Sequence, residues 1–172
     1  MSAEQIAPIR VAEFDAAPAA DAAAELMPCC ASRRWISGLV SGRPYGRLDR
    51  LTAASDALLA QLDWSEVQAA LAGHPRIGER APATGRADRW SWQEQAGTAD
   101  AADLVRQQLA AANRAYEQRF GHVFLICATG LPAEAMLGAL RSRLHNDPVA
   151  ERAVVRTELT KIVRLRLAKA FR

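Results

Sequence analysis

The chain lacks most of what would mark a metal centre, a secreted disulfide framework or a membrane protein. Its 172 residues include three cysteines, Cys29, Cys30 and Cys127, and three histidines, His74, His122 and His145. No two cysteines have the C-x-x-C spacing and the histidines fall at no ligand-like interval, so no metal site is expected. Two of the cysteines are neighbours and poorly placed to pair with each other. An odd total without framework spacing suits a reducing, cytoplasmic setting. No apolar run approaches the roughly 18 residues needed to cross a bilayer. Met1 to Arg10 has no basic stretch followed by an apolar one, so no signal peptide is expected. Lys169 to Arg172 is not a peroxisomal address. A glycine-rich phosphate loop is also missing. Charge is nearly balanced, 22 Lys and Arg against 19 Asp and Glu, for a net +3. The densest basic group, Arg152 to Arg172, is interleaved with leucine, isoleucine and valine at helical spacing. It reads as one amphipathic helix with a solvated basic face, and a nucleic-acid partner is not expected.

What is present is apolar and rich in alanine. Half of the residues are hydrophobic, enough for a core at this length, and alanine is the best helix former. The expectation is an all-α fold, a single-domain compact bundle of about seven to nine helices over residues 1–172, with 1–13 loose. Helical signals run from Phe14 to about Leu26 with Pro18 near the start, then from Cys29 to Val40, ended by Ser41-Gly42-Arg43-Pro44. Leu48 to Leu62 carries apolar residues at 51, 54, 58 and 62, near the helical period. Asp63 caps the next helix, with Glu66 completing a capping box, and Pro75 stops it near Gly73. Residues 73–90 are punctuated by glycine and proline, the kind of long loop that often carries function. Thr98 is expected to cap a helix whose first turn holds Asp100 and Asp103, whose inner stripe includes Ala101, Leu104 or Val105, Leu109, Ala112 and Tyr116, and which Gly121 ends. His122 to Thr129 is short and apolar, and periodicity leaves it open between an extended segment and a helical turn. Pro132 opens a helix to about Leu144, and Asp147 caps the last, with Pro148 at its first position.

Four segments could carry chemistry. In His74-Pro75-Arg76-Ile77-Gly78, proline pins a histidine just past a helix end, and histidine is the side chain best suited to proton transfer near neutral pH. The plainer reading is a loop histidine. Ser91-Trp92-Gln93-Glu94-Gln95 is a capping-box signature. On a helical turn, however, Ser91, Glu94 and Gln95 share one face and offer a hydroxyl, a carboxylate and an amide to a polar heterocycle. Asn113-x-x-Tyr116-x-x-Arg119-Phe120-Gly121, followed by an apolar run to Cys127, reads either as a helix ending on a core segment or as backbone groups lining a pocket. Finally, stepping 100° per residue from Val155 puts Leu159, Ile162 and Arg166 within about 40° on the inward stripe, with Arg164 about 180° away. An inward arginine needs a partner, either a structural carboxylate or an anionic substrate. A Cys127 nucleophile is disfavoured by its apolar surroundings.

Taken in order, these segments resemble the 2-oxo-4-hydroxy-4-carboxy-5-ureidoimidazoline (OHCU) decarboxylase family. The resemblance rests on Cys29-Cys30 with Trp35, Arg43-Pro44, His74 to Gly78, Ser91 to Gln95, Asn113 to Gly121 and Arg166-Leu167, over roughly residues 14–170. It implies an all-helical homodimer without cofactor that turns OHCU into S-allantoin in urate degradation. His74 and Glu94 are implied as the catalytic pair, and Pro75, Ser91, Gln95, backbone near Phe124 to Ile126, and Arg166 as substrate contacts. One departure is His122-Val123, where many relatives carry an aromatic residue and proline; it places a titratable group near the expected pocket. The main alternative is a non-enzymatic helical interaction or DNA-binding module, resting on the basic last helix. It predicts salt-dependent DNA binding and leaves His74 and Glu94 without a role. Another ureide step, hydrolysis of hydroxyisourate, would need a different set of residues.

Overall fold

Capping residues set the frame. The computed structural model describes residues 8–79, 85–96 and 103–172, and these contain nine helices: α1 (Val11–Ala16), α2 (Ala19–Leu26), α3 (Arg33–Ser41), α4 (Leu48–Gln61), α5 (Trp64–Leu71), α6 (Arg86–Glu94), α7 (Asp103–Phe120), α8 (Ala133–Arg143) and α9 (Pro148–Ala170). The fold is all-α, as the composition implies. Asp147 caps α9 as expected: its carboxylate accepts from the N–H groups of Val149 and Ala150, at 2.9 and 3.1 Å, and Pro148 takes the first position, where no N–H is needed. Gly121, at φ +75°, ends α7, and the left-handed geometry there favours glycine.

Several boundaries differ from the sequence reading, each for a local reason. In the stretch 14–26 a helix does begin at Pro18, which stands as the N-cap of α2, and the residues before it end a further short helix, α1, because Pro18 lacks an N–H and holds Ala17 extended at ψ 151°. The helix expected from Cys29 starts at Arg33. Cys29 and Cys30 close a turn onto the Leu26 carbonyl, and the Ser32 hydroxyl caps α3 by accepting from the Trp35 N–H at 3.1 Å. Asp63 caps α5, but the capping box is half made: Glu66 takes the Ser32 hydroxyl at 2.6 Å instead of turning back. Along α4 the expected stripe faces the core, with Leu51 and Leu62 buried and Ala54 and Leu58 packed against it; Leu59 and Ser55 are buried as well, Ser55 because it accepts from the buried Trp35 indole at 3.0 Å. In α7, Leu109 and Tyr116 are buried as expected, whereas Leu104 is 63% exposed. Thr98, Asp100 and Ala101 lie outside the described residues. The start of the chain is bound from residue 9: Ile9 bridges Phe171 in parallel, and Val11 N–H reaches the Arg172 carbonyl at 3.1 Å.

The core has two parts. One surrounds the inward face of α9, where Val155, Leu159, Ile162, Val163 and Leu167 meet α1 to α5. The other joins α7 to α8 through Leu109, Tyr116, Met136, Leu137 and Leu140. The segment 123–128 runs between them and resolves the choice left by periodicity. Val123, Leu125 and Cys127 pack against the first part, and Phe124, Ile126 and Ala128 against the second. This alternation is that of extended backbone. No strand pairs with it among the described residues. Side chains serve instead: Arg143 donates to the Leu125 carbonyl at 2.7 Å, and Glu158 accepts from the Cys127 N–H at 2.7 Å. Arg143 is held in turn by the fully buried Glu151, at 2.6 Å, which also receives Asn146 and the Tyr116 hydroxyl. A buried carboxylate requires this many partners.

Candidate active site

His74 lies three residues beyond the end of α5, its N–H donating to the Leu71 carbonyl at 2.9 Å. Pro75 removes the next donor and prevents the helix from continuing. The imidazole lines a pocket with Pro75 and Ile77 from its own loop and with Ser91, Glu94 and Gln95 from α6. Ser91, Glu94 and Gln95 do share one face, as the i, i+3, i+4 spacing requires. The opposite wall is the extended segment, Phe124 to Ile126 with Ala128, and Ile162 of α9 closes the floor. Free space between these side chains is about 10 Å³, on the order of one water molecule.

Arg166 is inward, 3% exposed, as the helical projection indicates. Its Nε and Nη2 donate to Oε1 and Oε2 of Glu94, both at 3.1 Å, and Nη2 also donates to the Ser91 hydroxyl at 2.8 Å. Nη1 reaches the Pro28 carbonyl at 3.3 Å, in the turn that carries the cysteine pair. Arg166 thus stands behind Ser91 and Glu94 and is not itself part of the lining. Of the two partners considered for it, the structure supplies the carboxylate. Lys169 adds a second cation 3.9 Å from Glu94 Oε1. Glu94 is engaged with Arg166, and no described residue hydrogen-bonds the His74 ring.

The electrostatics follow from this packing. Burial, with the Arg166 charge nearby, pushes His74 down to about 3, so the imidazole is neutral at physiological pH. Burial pushes Cys29 up to about 12 and Cys30 to about 11, which leaves both as thiols packed in the core. Cys127 is also raised by burial, which weakens it as a nucleophile. No group of three or more His, Cys, Asp or Glu among the described residues could hold a metal.

The backbone of the extended wall is partly open. The N–H groups of Leu125 and Ile126 have no hydrogen-bond partner among the described residues, whereas the Leu125 carbonyl and Cys127 N–H are taken. His122 is away from the pocket lining. It packs edge-on against Trp64 and Tyr116, at centroid distances of 5.1 and 5.4 Å, so it adds no titratable group to the site. The basic residues of α9 are largely occupied within the chain: Arg164 pairs with Asp56 at 2.8 Å, Lys161 with Glu158 at 2.6 Å, and Arg156 donates to the Leu59 carbonyl at 2.8 Å. This gives no support to a nucleic-acid surface there. Sequence reasoning missed Ile162 and Ala128 as wall residues. Ile162 was visible as the inward residue one turn before Arg166, but nothing local marks Ala128.

Comparisons with known proteins place the chain in a family. The family model described as OHCU decarboxylase matches residues 15–168. The chain is 33% identical over 147 residues to the 2-oxo-4-hydroxy-4-carboxy-5-ureidoimidazoline decarboxylase of Amia calva, covering 83% of this chain and 80% of that protein. It is 32% identical over 148 residues to a uric acid degradation bifunctional protein of Arabidopsis thaliana, covering 83% of this chain and 45% of that longer protein. The chain therefore spans less than half of the plant relative. Among solved structures, an OHCU decarboxylase crystallised in the presence of (S)-allantoin superposes with a TM-score of 0.74 at 27% identity, covering 84% of this chain and 95% of the other. An (S)-allantoin synthase, at 18% identity, shares the fold with a TM-score of 0.71, covering 95% of this chain and 54% of the other.

Proposed function

The chain belongs to the OHCU decarboxylase family of urate degradation, and we propose that it decarboxylates OHCU to S-allantoin with His74 as the group that moves the proton. The observation that carries this reading is the convergence of a neutral His74, the Ser91-Glu94-Gln95 face of α6 and the open backbone of Leu125 and Ile126 on one pocket.

The substrate carries its own electron sink. Its carboxylate sits on a ring carbon that also bears a hydroxyl, beside a C=N bond. Breaking the bond to CO2 sends the electron pair into that C=N, whose nitrogen takes a proton from water. The hydroxyl proton then passes to His74, a carbonyl forms, and His74 returns a proton to the neighbouring carbon from one face. A histidine neutral at rest can accept that proton, and an anionic substrate beside it raises its affinity for it. Loss of CO2 spreads charge from the carboxylate into the ring, which the apolar surfaces of Ile77, Phe124, Ile126 and Ile162 favour over the concentrated charge. In this reading Glu94 acts with Arg166 as a fixed pair that orients Ser91 and the substrate hydroxyl. Gln95 and the backbone of Phe124 to Ile126 hold the ureido and ring carbonyl groups, and Pro75 packs against the ring.

We read the described residues as one domain. The family reading also implies a homodimer, which light scattering of the purified protein checks. The buried thiols of Cys29 and Cys30 suit a reducing, cytoplasmic compartment. The functional test is a coupled assay in which urate oxidase and hydroxyisourate hydrolase generate fresh OHCU and circular dichroism follows S-allantoin. Acceleration with one enantiomer in excess, reduced roughly 100- to 10,000-fold in a folded His74→Ala variant, is the expected outcome. Formation no faster than spontaneous decay, from folded wild-type protein, would overturn the assignment.

A further inference from the structure

One peptide in the loop that carries His74 is held from both ends. The Ile77 carbonyl accepts from Nδ2 of Asn113, on α7, at 2.9 Å. The N–H of the same peptide, that of Gly78, donates to Oε1 of Gln95, at the end of α6, at 3.1 Å. Three amides therefore stand head to tail: the Asn113 side chain, the Ile77–Gly78 peptide and the Gln95 side chain. Hydrogen bonds in such a chain polarise one another, and a donor on the Gln95 oxygen decides which way round that amide sits in the pocket. Gly78 has φ +85°, which a side chain would resist, and a β-carbon there would meet Leu109 of the α7–α8 core at 3.6 Å.

Asn113 is a costly residue for this position if packing is all that matters. It is 2% exposed, and its Oδ1 has no hydrogen-bond partner among the described residues. The other buried residues of α7 are Leu109 and Tyr116, one turn to either side of it. What asparagine contributes that leucine cannot is the Nδ2 donor to Ile77. One turn along α7, Glu117 grips the same loop by accepting from Nε and Nη2 of Arg76 at 2.5 and 3.0 Å. Helix α7 puts no side chain of its own into the pocket lining; it reaches the site through this loop and through the Tyr116 ring, which packs on Phe124 at a centroid distance of 5.2 Å.

We propose that Asn113 is a positioning residue of the site, holding through the Ile77–Gly78 peptide both the loop that presents His74 and the orientation of the Gln95 amide. The proposal rests on the functional reading above. Its test is Asn113→Leu, which keeps the size and removes the donor, assayed on OHCU and compared with wild type by amide NMR. In a folded variant kcat falls by roughly ten- to a hundred-fold, the scale of a misplaced reacting group, while KM changes by less than about three-fold. The Gly78 N–H and Gln95 side-chain NH2 resonances move with it. A merely structural role would lower the melting temperature and leave kcat per folded molecule and the Gln95 resonances in place. A folded variant with kcat within about two-fold of wild type, or with unmoved Gln95 resonances, overturns the proposal. Should the variant not fold, hydrogen exchange at Gly78 in wild type decides: protection supports the clamp, and exchange at the rate of an open loop overturns it. Wild-type protein inert on OHCU overturns the functional reading, whereas active wild type with an indifferent variant overturns the role of Asn113 alone.

Discussion

Arg166 grips Glu94 across 72 residues of chain, Nε to Oε1 and Nη2 to Oε2 at 3.1 Å each, with side chains only 3% and 8% exposed. The pair ties the last helix to the helix that bears Ser91, Glu94 and Gln95, and so builds one side of the pocket.

Breaking this pair from one side leaves a buried charge without its partner. Arg166→Met is expected to cost about 3–5 kcal/mol, and Arg166→Met combined with Glu94→Leu considerably less, because an apolar pair avoids desolvating either charge. Urea unfolding of both variants measures this. A single-variant loss below about 1 kcal/mol, the value typical of a surface pair, would show that the ion pair is solvated.

His74 makes stability depend on pH in a defined direction. Its ordinary value is 6.5, and burial with the Arg166 charge brings it to about 3 in the folded protein. As pH falls through 6.5 the unfolded chain takes up a proton that the folded chain refuses until near 3. The unfolded state binds more protons throughout that window, so stability falls as pH falls there and the full contribution is present above it. Urea midpoints compared at about pH 7.5 and pH 5.5, a span in which histidine rather than carboxylate titration dominates, should differ less in His74→Gln than in wild type. An equal difference in both would mean that the imidazole is hydrated.

The cysteines serve as packing rather than chemistry. Cys29 and Cys30 are buried and pushed up to about 12 and 11, so almost no thiolate forms at neutral pH. Native protein treated with iodoacetamide at pH 7.5 should keep both unmodified by mass spectrometry, and Cys127→Ser should retain activity. Rapid alkylation of the pair without unfolding would contradict the core described here.

Much of the site was legible because its signals are local. Pro75 after His74 marks a helix end through the geometry of a single ring, and the shared face of Ser91, Glu94 and Gln95 follows from their spacing. Arg166 is inward because 3.6 residues per turn put it under Ile162. Signals of the same short range misled where a distant group competed for them. Ser32 takes Glu66 away from its capping box, and Ser55, a polar residue that the apolar pattern leaves out, is buried on α4 because it accepts from Trp35.

Local rules of chain chemistry account for the helical class, the capped starts of α5 and α9, the loop around His74 and the inward direction of Arg166. Each follows from bonds between groups at most a few residues apart. It takes the packing of distant elements to bring Arg166 to Glu94 and Asn113 to the Ile77 carbonyl, to run residues 123–128 extended between two cores and to strip His74 of enough water to stay neutral. These depend on which distant surfaces bury one another, and burial sets both the partners a polar group must find and the charge it can keep.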